Sequence, residues 1–311
     1  MASRSTASPT RRLLREGAFR ELWIQPAAGD AGGALGAALA YHHHQAAAQT
    51  PPPSRAHVAR KTDSMHGSFL GPAYSDSEIA ATLSSTGLLN HAEKLSPEIL
   101  NARIAQCLAA GNVIGFCQGR AEFGPRALGA RSILADARSP DMQRRLNLKI
   151  KARESFRPFA PIVLAERAFE FFEIAAPSPY MLFTAPVASA QRLAAPAADT
   201  SWQQRLATPH STIPAVTHVD YSARLQTVAR DENPPLHAVL TAFADLTGCP
   251  VLVNTSFNVR GEPPVCHPRE AIAGFLATDM DALVFGPYFL EKKSIPPNLL
   301  PSAPARNFAP D

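Results

Sequence analysis

The chain has 311 residues, of which 46% are hydrophobic and 18% are charged, and its formal net charge is +4. This length is sufficient for one large domain or two smaller ones, and the hydrophobic fraction is ordinary for a folded protein. Arginine supplies most of the 30 basic residues. Because GC-rich coding also enriches arginine, this excess does not by itself indicate a nucleic-acid partner, and we do not expect one.

No apolar run approaches the roughly 20 residues of a membrane-spanning helix, and the first residues lack the apolar segment of a signal peptide. The four cysteines form no C-x-x-C pair, so neither a zinc site nor a disulfide framework is indicated. We therefore expect a cytoplasmic protein with no membrane partner.

The first predicted unit, residues 1–48, contains a strand-like run, a glycine-rich turn and a helix that begins near Asp30. Such a turn offers free backbone N–H groups to a phosphate, and Asp30 could bind a metal that bridges it. Small residues also allow close helix packing, so a purely structural role is an alternative. Residues 49–65 are proline-rich and aperiodic, which predicts a linker.

The second predicted unit, residues 66–292, contains a helix with Ser96 as N-cap and Pro97 in its first turn, ending near Gly111. A buried strand follows and leads into a loop, Gly119 to Ser132, that has three arginines and three glycines and that we call the arginine loop. Arginine forks match phosphate oxygens, and glycine allows close backbone approach, so the loop predicts an anion site. A solvated basic loop is the alternative.

Polar residues gather in three later segments, each next to a predicted strand. Residues 151–161 combine cations with aromatic rings, residues 218–228 combine polar groups with alternation, and residues 254–263 place amides and hydroxyls after a strand. Anion, ribose or phosphate binding is one interpretation, and ordinary turn chemistry is the other. Residues 141–150 are predicted to form a helix with a basic face, and residues 236–246 an amphipathic helix that ends near Gly248. Residues 185–210 are predicted to form a mobile insertion, and residues 293–311 a disordered tail.

These four segments, in this order, resemble the NodU/CmcH family of O-carbamoyltransferases over roughly residues 66–292. The resemblance implies an α/β (α+β-like) fold, with a YrdC-like twisted mixed sheet and flanking helices, preceded by a fragment of an actin-like domain. YrdC-like domains carry a Lys-x-Arg pair and a distant Ser-x-Asn pair at their nucleotide site. In this chain, these pairs match Lys151 with Arg153 and Ser256 with Asn258.

The resemblance further implies formation of carbamoyl adenylate from carbamoyl phosphate and ATP, with Mg²⁺ accompanying ATP, for transfer to a hydroxyl of a sugar or natural product. The expected catalytic residues are Arg120, Arg126, Lys151 and Arg153. The expected substrate- and nucleotide-binding residues are Glu122, Arg131, Arg157, His218, Asp220, Arg224, Asn254, Ser256 and Asn258.

In the family, the final transfer occurs in an actin-like domain that holds a divalent metal, with iron as one candidate. Asp30 matches a metal-ligand aspartate, but no His-x-x-x-His pair precedes it. Asp30 would therefore bind metal only if a separately encoded actin-like domain supplied the other ligands. Alternatives are a non-catalytic nucleotide- or RNA-binding module and an inactive remnant. Tyr221 occupies a position where the family usually has glycine, which raises a question about the local backbone.

Overall fold

The structure is a computed structural model that describes residues 16, 24–49, 65–174, 176–194, 201 and 208–301. The longer helices are α1 (Asp30–Gln49), α2 (Asp76–Ser85), α3 (Pro97–Ala109), α4 (Met142–Arg145), α5 (Pro234–Thr247) and α6 (Pro268–Leu276). The strands are β1 (Ala92–Lys94), β2 (Ile114–Cys117), β3 (Arg131–Asp136), β4 (Ala160–Leu164), β5 (Phe183–Pro186), β6 (Ser222–Val228), β7 (Val251–Ser256), β8 (Ala282–Phe285) and β9 (Tyr288–Glu291).

The strands form one nine-stranded sheet in the order β1-β9-β8-β2-β3-β7-β4-β6-β5. The pairs β2/β8 and β4/β6 are parallel, and the remaining pairs are antiparallel. Strands β2, β3, β4 and β8 are buried along their whole length, as expected for strands that are covered on both faces. The predicted mixed α/β architecture is therefore confirmed.

Local sequence chemistry explains where the main helices begin and end. Ser96 caps α3 by accepting from the backbone N–H of Ile99, with Pro97 in the first turn, as predicted. Gly248 ends α5 in a left-handed conformation at φ 76°, which glycine adopts without steric cost. The predicted helix over 141–150 instead divides into the single turn of α4 and a π-helix, Leu146–Ile150.

The strand register brings the predicted functional segments to one end of the sheet, which we call the motif end. There, Cys117 lies opposite Arg131, Ser132 opposite Ser256, and Ala160 opposite Asn254. Strand β6 runs parallel to β4, so its first residues lie at the same end. The motif end therefore carries the loop 118–130, the segment 151–159, the segment 218–224 and residues 256–258.

The N-terminal part of the described chain packs only loosely against the rest. Helix α1 is exposed along most of its length, but the turn before it touches the arginine loop, where a Cβ on Gly124 would lie 2.5 Å from the Cβ of Ala27. The linker residues 50–64 lie outside the described part of the chain. No helix in the described ranges is long and apolar enough to cross a membrane.

The packed structure continues past residue 292, where the sequence predicted a disordered tail. Ile295 is buried, and Leu299 and Leu300 pack against the core, because these apolar side chains follow directly on β9. The predicted mobile insertion likewise contains the last two residues of β5 and the buried Val187, followed by a 3-10 turn, Ser189–Gln191. Residues 195–200, 202–207 and 302–311 are outside the described ranges.

Candidate active site at the motif end of the sheet

Lys151 is the centre of the first cluster of side chains. Its Nζ atom donates to the carbonyl oxygen of Ser256 and lies 3.0 Å from the carbonyl oxygen and 2.8 Å from the Oδ1 atom of Asn258. The Ser256 hydroxyl donates to the same Oδ1 atom at 2.6 Å. The structure thus brings the Lys-x-Arg and Ser-x-Asn segments into direct contact.

Within the described ranges, the Lys151 Nζ atom is held only by neutral oxygens of Ser256 and Asn258. The residue is 5% exposed. Burial, followed by repulsion from the adjacent Arg153 cation, lowers the pKa of Lys151 to about 7. A buried cation without a carboxylate partner is costly, and an anionic ligand would remove that cost.

Arg153 and Arg157 extend this cluster along the loop before β4. The Nε atom of Arg153 donates to Oδ1 of Asn147 at 2.6 Å, and its guanidinium lies over the Phe159 ring, 4.8 Å from the centroid. Burial lowers the pKa of Arg153 to about 10, with repulsion from Arg157 as the next cause. The Arg157 guanidinium makes a long contact with the Glu154 carboxylate, at 3.7 Å.

A second cluster of cations contains Arg126 and Arg224. Burial lowers the pKa of Arg126, and burial followed by repulsion from Arg126 lowers the pKa of Arg224 to about 10. The buried Nε atom of Arg224 has no hydrogen-bond partner. Two arginines held close together without a carboxylate in ion-pair contact, among the residues that the structure describes, are typical of an anion site.

His218 and Asp220 lie beside the second cluster. Burial is the main cause that lowers the pKa of His218, with Asp220 opposing it and Arg224 adding to it. The Oδ1 atom of Asp220 accepts from the Ser222 hydroxyl at 2.6 Å and from the Ser222 N–H at 3.0 Å. Asp220 therefore shapes the turn into β6 as well as setting the local charge.

Glu122 has a different role from the ligand contact that the sequence suggested. Its Oε1 atom accepts backbone N–H groups of Leu128 and Ala130, both at 2.7 Å, and of Arg131 at 3.2 Å. These three bonds close the arginine loop around one carboxylate. Glu122 therefore fixes the loop that presents Arg126, and an acidic side chain suits this task because it accepts without donating.

Arg131 holds the same loop together, and the ligand-binding role predicted for it stays a prediction. It is 2% exposed, and its terminal nitrogens donate to the backbone carbonyls of Pro72, Gln118, Gly119 and Ala130. Its buried Nε atom has no hydrogen-bond partner, so these carbonyls hold the guanidinium through its terminal nitrogens alone. Arg120 donates to the carbonyl of Leu70 at 3.0 Å, which ties the loop to the segment before it.

Asn254, predicted to bind nucleotide, is 1% exposed and acts within the core. Its Nδ2 atom donates to the Ala127 carbonyl at 3.0 Å and to Oε1 of Gln226 at 2.9 Å, and Gln226 donates to the Leu128 carbonyl at 2.8 Å. This amide pair anchors the residues directly after Arg126. Asn254 is therefore a positioning residue.

Two residues of the site were missed in the sequence, Asn147 and Gln226. Asn147 is fully buried within the π-helix, and Gln226 is a buried amide in β6. Both occur in elements that were recognised, and both are polar at positions that the structure buries. A buried amide in a core element is the signal that could have identified them, because such a group needs partners.

Residues 105–292 match the family described as Carbamoyltransferase C-terminus, and residues 9–39 match Carbamoyltransferase N-terminus. The chain belongs to the carbamoyltransferase family. Among its curated relatives, it is 50% identical over 289 residues to the uncharacterized protein sll1178 of Synechocystis sp., covering 92% of this chain and 46% of that protein. It is 42% identical over 289 residues to nodulation protein NolNO of Sinorhizobium fredii, covering 92% of this chain and 38% of that protein.

This carbamoyltransferase-family chain thus spans less than half the length of these two relatives. Nodulation protein U of Rhizobium fredii is a further relative, at 37% identity over 80% of this chain and 36% of that protein. Full-length HypF in its phosphate- and nucleotide-bound form aligns over 62% of this chain and 21% of that chain, with 13% identity and a TM-score of 0.38. That likeness is too weak to support a structural comparison.

The metal that the resemblance to carbamoyltransferases implies has no complete ligand set here. Among the described residues, no group of three His, Cys, Asp or Glu side chains is arranged to hold a metal ion. Asp30 is the first residue of α1, and its side chain is outside what the structure describes. His42 to His44 lie on the exposed part of α1.

Proposed function

We propose that this chain carries the carbamoyl-activating step of a carbamoyltransferase. In this step, water and carbamoyl phosphate yield carbamate and inorganic phosphate. A carbamate oxygen then attacks the α-phosphorus of ATP, the bond to the β-phosphate bridging oxygen breaks, and carbamoyl adenylate and pyrophosphate form. The observation that carries the proposal is the buried Lys151 side chain, whose Nζ atom is held by Ser256 and Asn258 and contacts no carboxylate among the described residues.

The positive charge at the motif end of the sheet favours phosphorylated substrates. The motif end carries five cationic side chains, those of Arg126, Lys151, Arg153, Arg157 and Arg224. Burial is the main cause that lowers the pKa of Lys151 to about 7 and the pKa values of Arg153 and Arg224 to about 10. Phosphoryl and adenylyl transfer depend mainly on positioning and on neutralising charge that develops in the transition state. Cations that have already lost much of their solvation perform this task without reorganisation at the moment of reaction.

The arrangement offers two adjacent positions for two phosphorylated substrates. Ser256 is the last residue of β7 and Arg224 is the third residue of β6, and β4 lies between these two strands. Two strand spacings correspond to about 10 Å. We assign the ATP phosphates to Lys151, Arg153, Ser256 and Asn258, and carbamoyl phosphate to Arg126, Arg224 and His218.

Later steps are proposed for other parts of a complete carbamoyltransferase. Mg²⁺ would accompany ATP as part of the substrate. Transfer from carbamoyl adenylate to an acceptor hydroxyl would take place in an N-terminal actin-like domain with its divalent metal, iron being one candidate. Such a domain could be a separately encoded partner of this chain, to which Asp30 would contribute one ligand.

The proposal is tested by measuring pyrophosphate release from Mg²⁺-ATP, with and without carbamoyl phosphate. We expect release to depend on carbamoyl phosphate and to fall by roughly 10²- to 10³-fold in Arg126→Ala, by analogy with the loss of one preorganised donor. Exposed Arg230 provides a matched control, and Arg230→Ala should retain full activity. A nucleotide-binding module or an inactive remnant would bind ATP and release no pyrophosphate, which would contradict the proposal.

A further inference from the structure

The loop that carries Arg153 and Arg157 also presents an exposed aromatic ring. Phe156 lies between the two arginines and is 61% exposed. Phe159, three residues later, is 4% exposed and is covered by the Arg153 guanidinium. The segment therefore buries one phenylalanine for its own packing and leaves the other available.

The exposure of Phe156 does not come from a loosely held loop. The Nδ2 atom of Asn147 donates to the carbonyls of Ser155 at 3.0 Å and Arg157 at 2.8 Å. Gln143 donates to the carbonyls of Phe156 at 3.1 Å and Arg157 at 3.2 Å. Three consecutive carbonyls are thus held by side chains of α4 and the π-helix, so the backbone is fixed while the ring projects from it.

We propose that Phe156 forms the nucleobase subsite of this chain and stacks on the base of the nucleoside triphosphate. This inference rests on the proposed function, because it requires phosphates at Lys151 and Arg153. Arg153 and Arg157 flank Phe156 in the sequence, so a triphosphate held by these cations would lie beside the loop that carries the ring, and the base is the flat, apolar part of that ligand. Every base has a π-face, so stacking on a phenylalanine contributes affinity without strong selection among bases.

The test compares ATP with tripolyphosphate, which has the phosphates but no base, by titration calorimetry on the full chain. Phe156→Ala should weaken ATP binding roughly 5- to 100-fold, the range expected for loss of one base–aromatic stack. Tripolyphosphate affinity should remain within about twofold of wild type, because the cations are unchanged. GTP should lose affinity in parallel with ATP, and Phe156→Trp should retain ATP binding.

Phe169 supplies a matched control, because it is another exposed phenylalanine, at 70%, in a 3-10 helix away from these cations. Phe169→Ala should bind ATP and tripolyphosphate as wild type does. Equal ATP affinity in Phe156→Ala and wild type would overturn the inference, as would the absence of ATP binding by wild type. Normal base-dependent binding without pyrophosphate release would instead contradict only the proposed function.

Discussion

The Nζ atom of Lys151 lies 2.8 Å from the Oδ1 atom of Asn258, which joins the π-helix side of the site to the turn after β7. Because Ser256 donates its hydroxyl to the same oxygen, the three side chains form one connected group. The ammonium satisfies its donors but has no counter-charge in these contacts. This arrangement underlies both the assignment of ATP and the pH dependence that follows.

Binding of ATP should be linked to proton uptake by Lys151. With its pKa lowered to about 7, the amine is mostly neutral at pH 8, and an anion raises that pKa by stabilising the ammonium form. Binding at pH 8 should therefore take up about one proton, and affinity should fall as the pH rises above 7. Titration calorimetry of Mg²⁺-ATP in buffers with different ionisation enthalpies measures this number.

The control for proton uptake is Lys149, which is exposed and 3.9 Å from Asp279. Lys149→Met should take up the same number of protons as wild type, whereas Lys151→Met should lose both the uptake and most of the affinity. Binding by wild type at pH 8 without proton uptake would show that Lys151 is already charged in the free protein, contrary to this interpretation.

Arg224 and Arg131 should respond in opposite ways to replacement by methionine. Arg131→Met leaves several backbone carbonyls without their donor, and we expect about 3–5 kcal/mol loss of unfolding free energy in urea. Arg131 lacks a hydrogen-bond partner only at Nε, whereas Arg224→Met removes a cation that donates to no other group among the described residues. It should raise the melting temperature by about 2–4 °C and increase the KM for carbamoyl phosphate by roughly 100-fold.

Arg230→Met, at an exposed position just after β6, is the control for both measurements and should change neither. Equal losses of stability in Arg224→Met and Arg131→Met would mean that Arg224 supports the fold. In that case, the assignment of a carbamoyl phosphate site to the second cluster would not stand.

Tyr221 adopts a left-handed backbone conformation, with φ at 57°, which favours glycine and is strained for a bulky side chain. Its ring lies under the Arg192 guanidinium at 5.4 Å and against His210 at 5.9 Å. Tyr221→Gly should therefore change the unfolding free energy by less than about 1 kcal/mol, because relief of strain offsets the lost contacts.

Tyr221→Val provides the opposite case, since a β-branched residue keeps the strain and loses the ring. We expect about 2 kcal/mol of destabilisation by urea denaturation. If the glycine variant were destabilised as much as the valine variant, the ring contacts and not the backbone would determine stability at this position.

Residue types in the sequence, and the capping residues, prolines and glycines at the ends of elements, predicted much of the fold. Ser96 with Pro97 identified the start of α3, and Gly248 marked the end of α5. These signals are local, because a cap or a left-handed turn depends on a few neighbouring residues. The single turn of α4 and its π-helix were read as one longer helix, since periodicity does not distinguish 3.6 from about 4.4 residues per turn over so short a segment.

The sequence predicted the segments of the candidate site. It did not predict which side chains in them hold the backbone and which remain for a ligand. Arg126 and Arg131 have the same side chain in the same loop. Burial lowers the pKa of Arg126, which contacts no carboxylate in the described part of the chain, whereas the terminal nitrogens of Arg131 donate to backbone carbonyls. Likewise, Glu122 and Asn254 face backbone groups of their own domain. Which way a side chain points depends on strand register and loop closure, which are tertiary features.

The central claim is tested most directly by exchange of radiolabelled pyrophosphate into ATP, with Lys151→Ala and the neighbouring Lys149→Ala as matched variants. The account predicts exchange by wild type only when carbamoyl phosphate is present, a loss of roughly 10²- to 10³-fold in Lys151→Ala, and wild-type exchange in Lys149→Ala. Wild-type protein that binds ATP but shows no exchange with carbamoyl phosphate would contradict it.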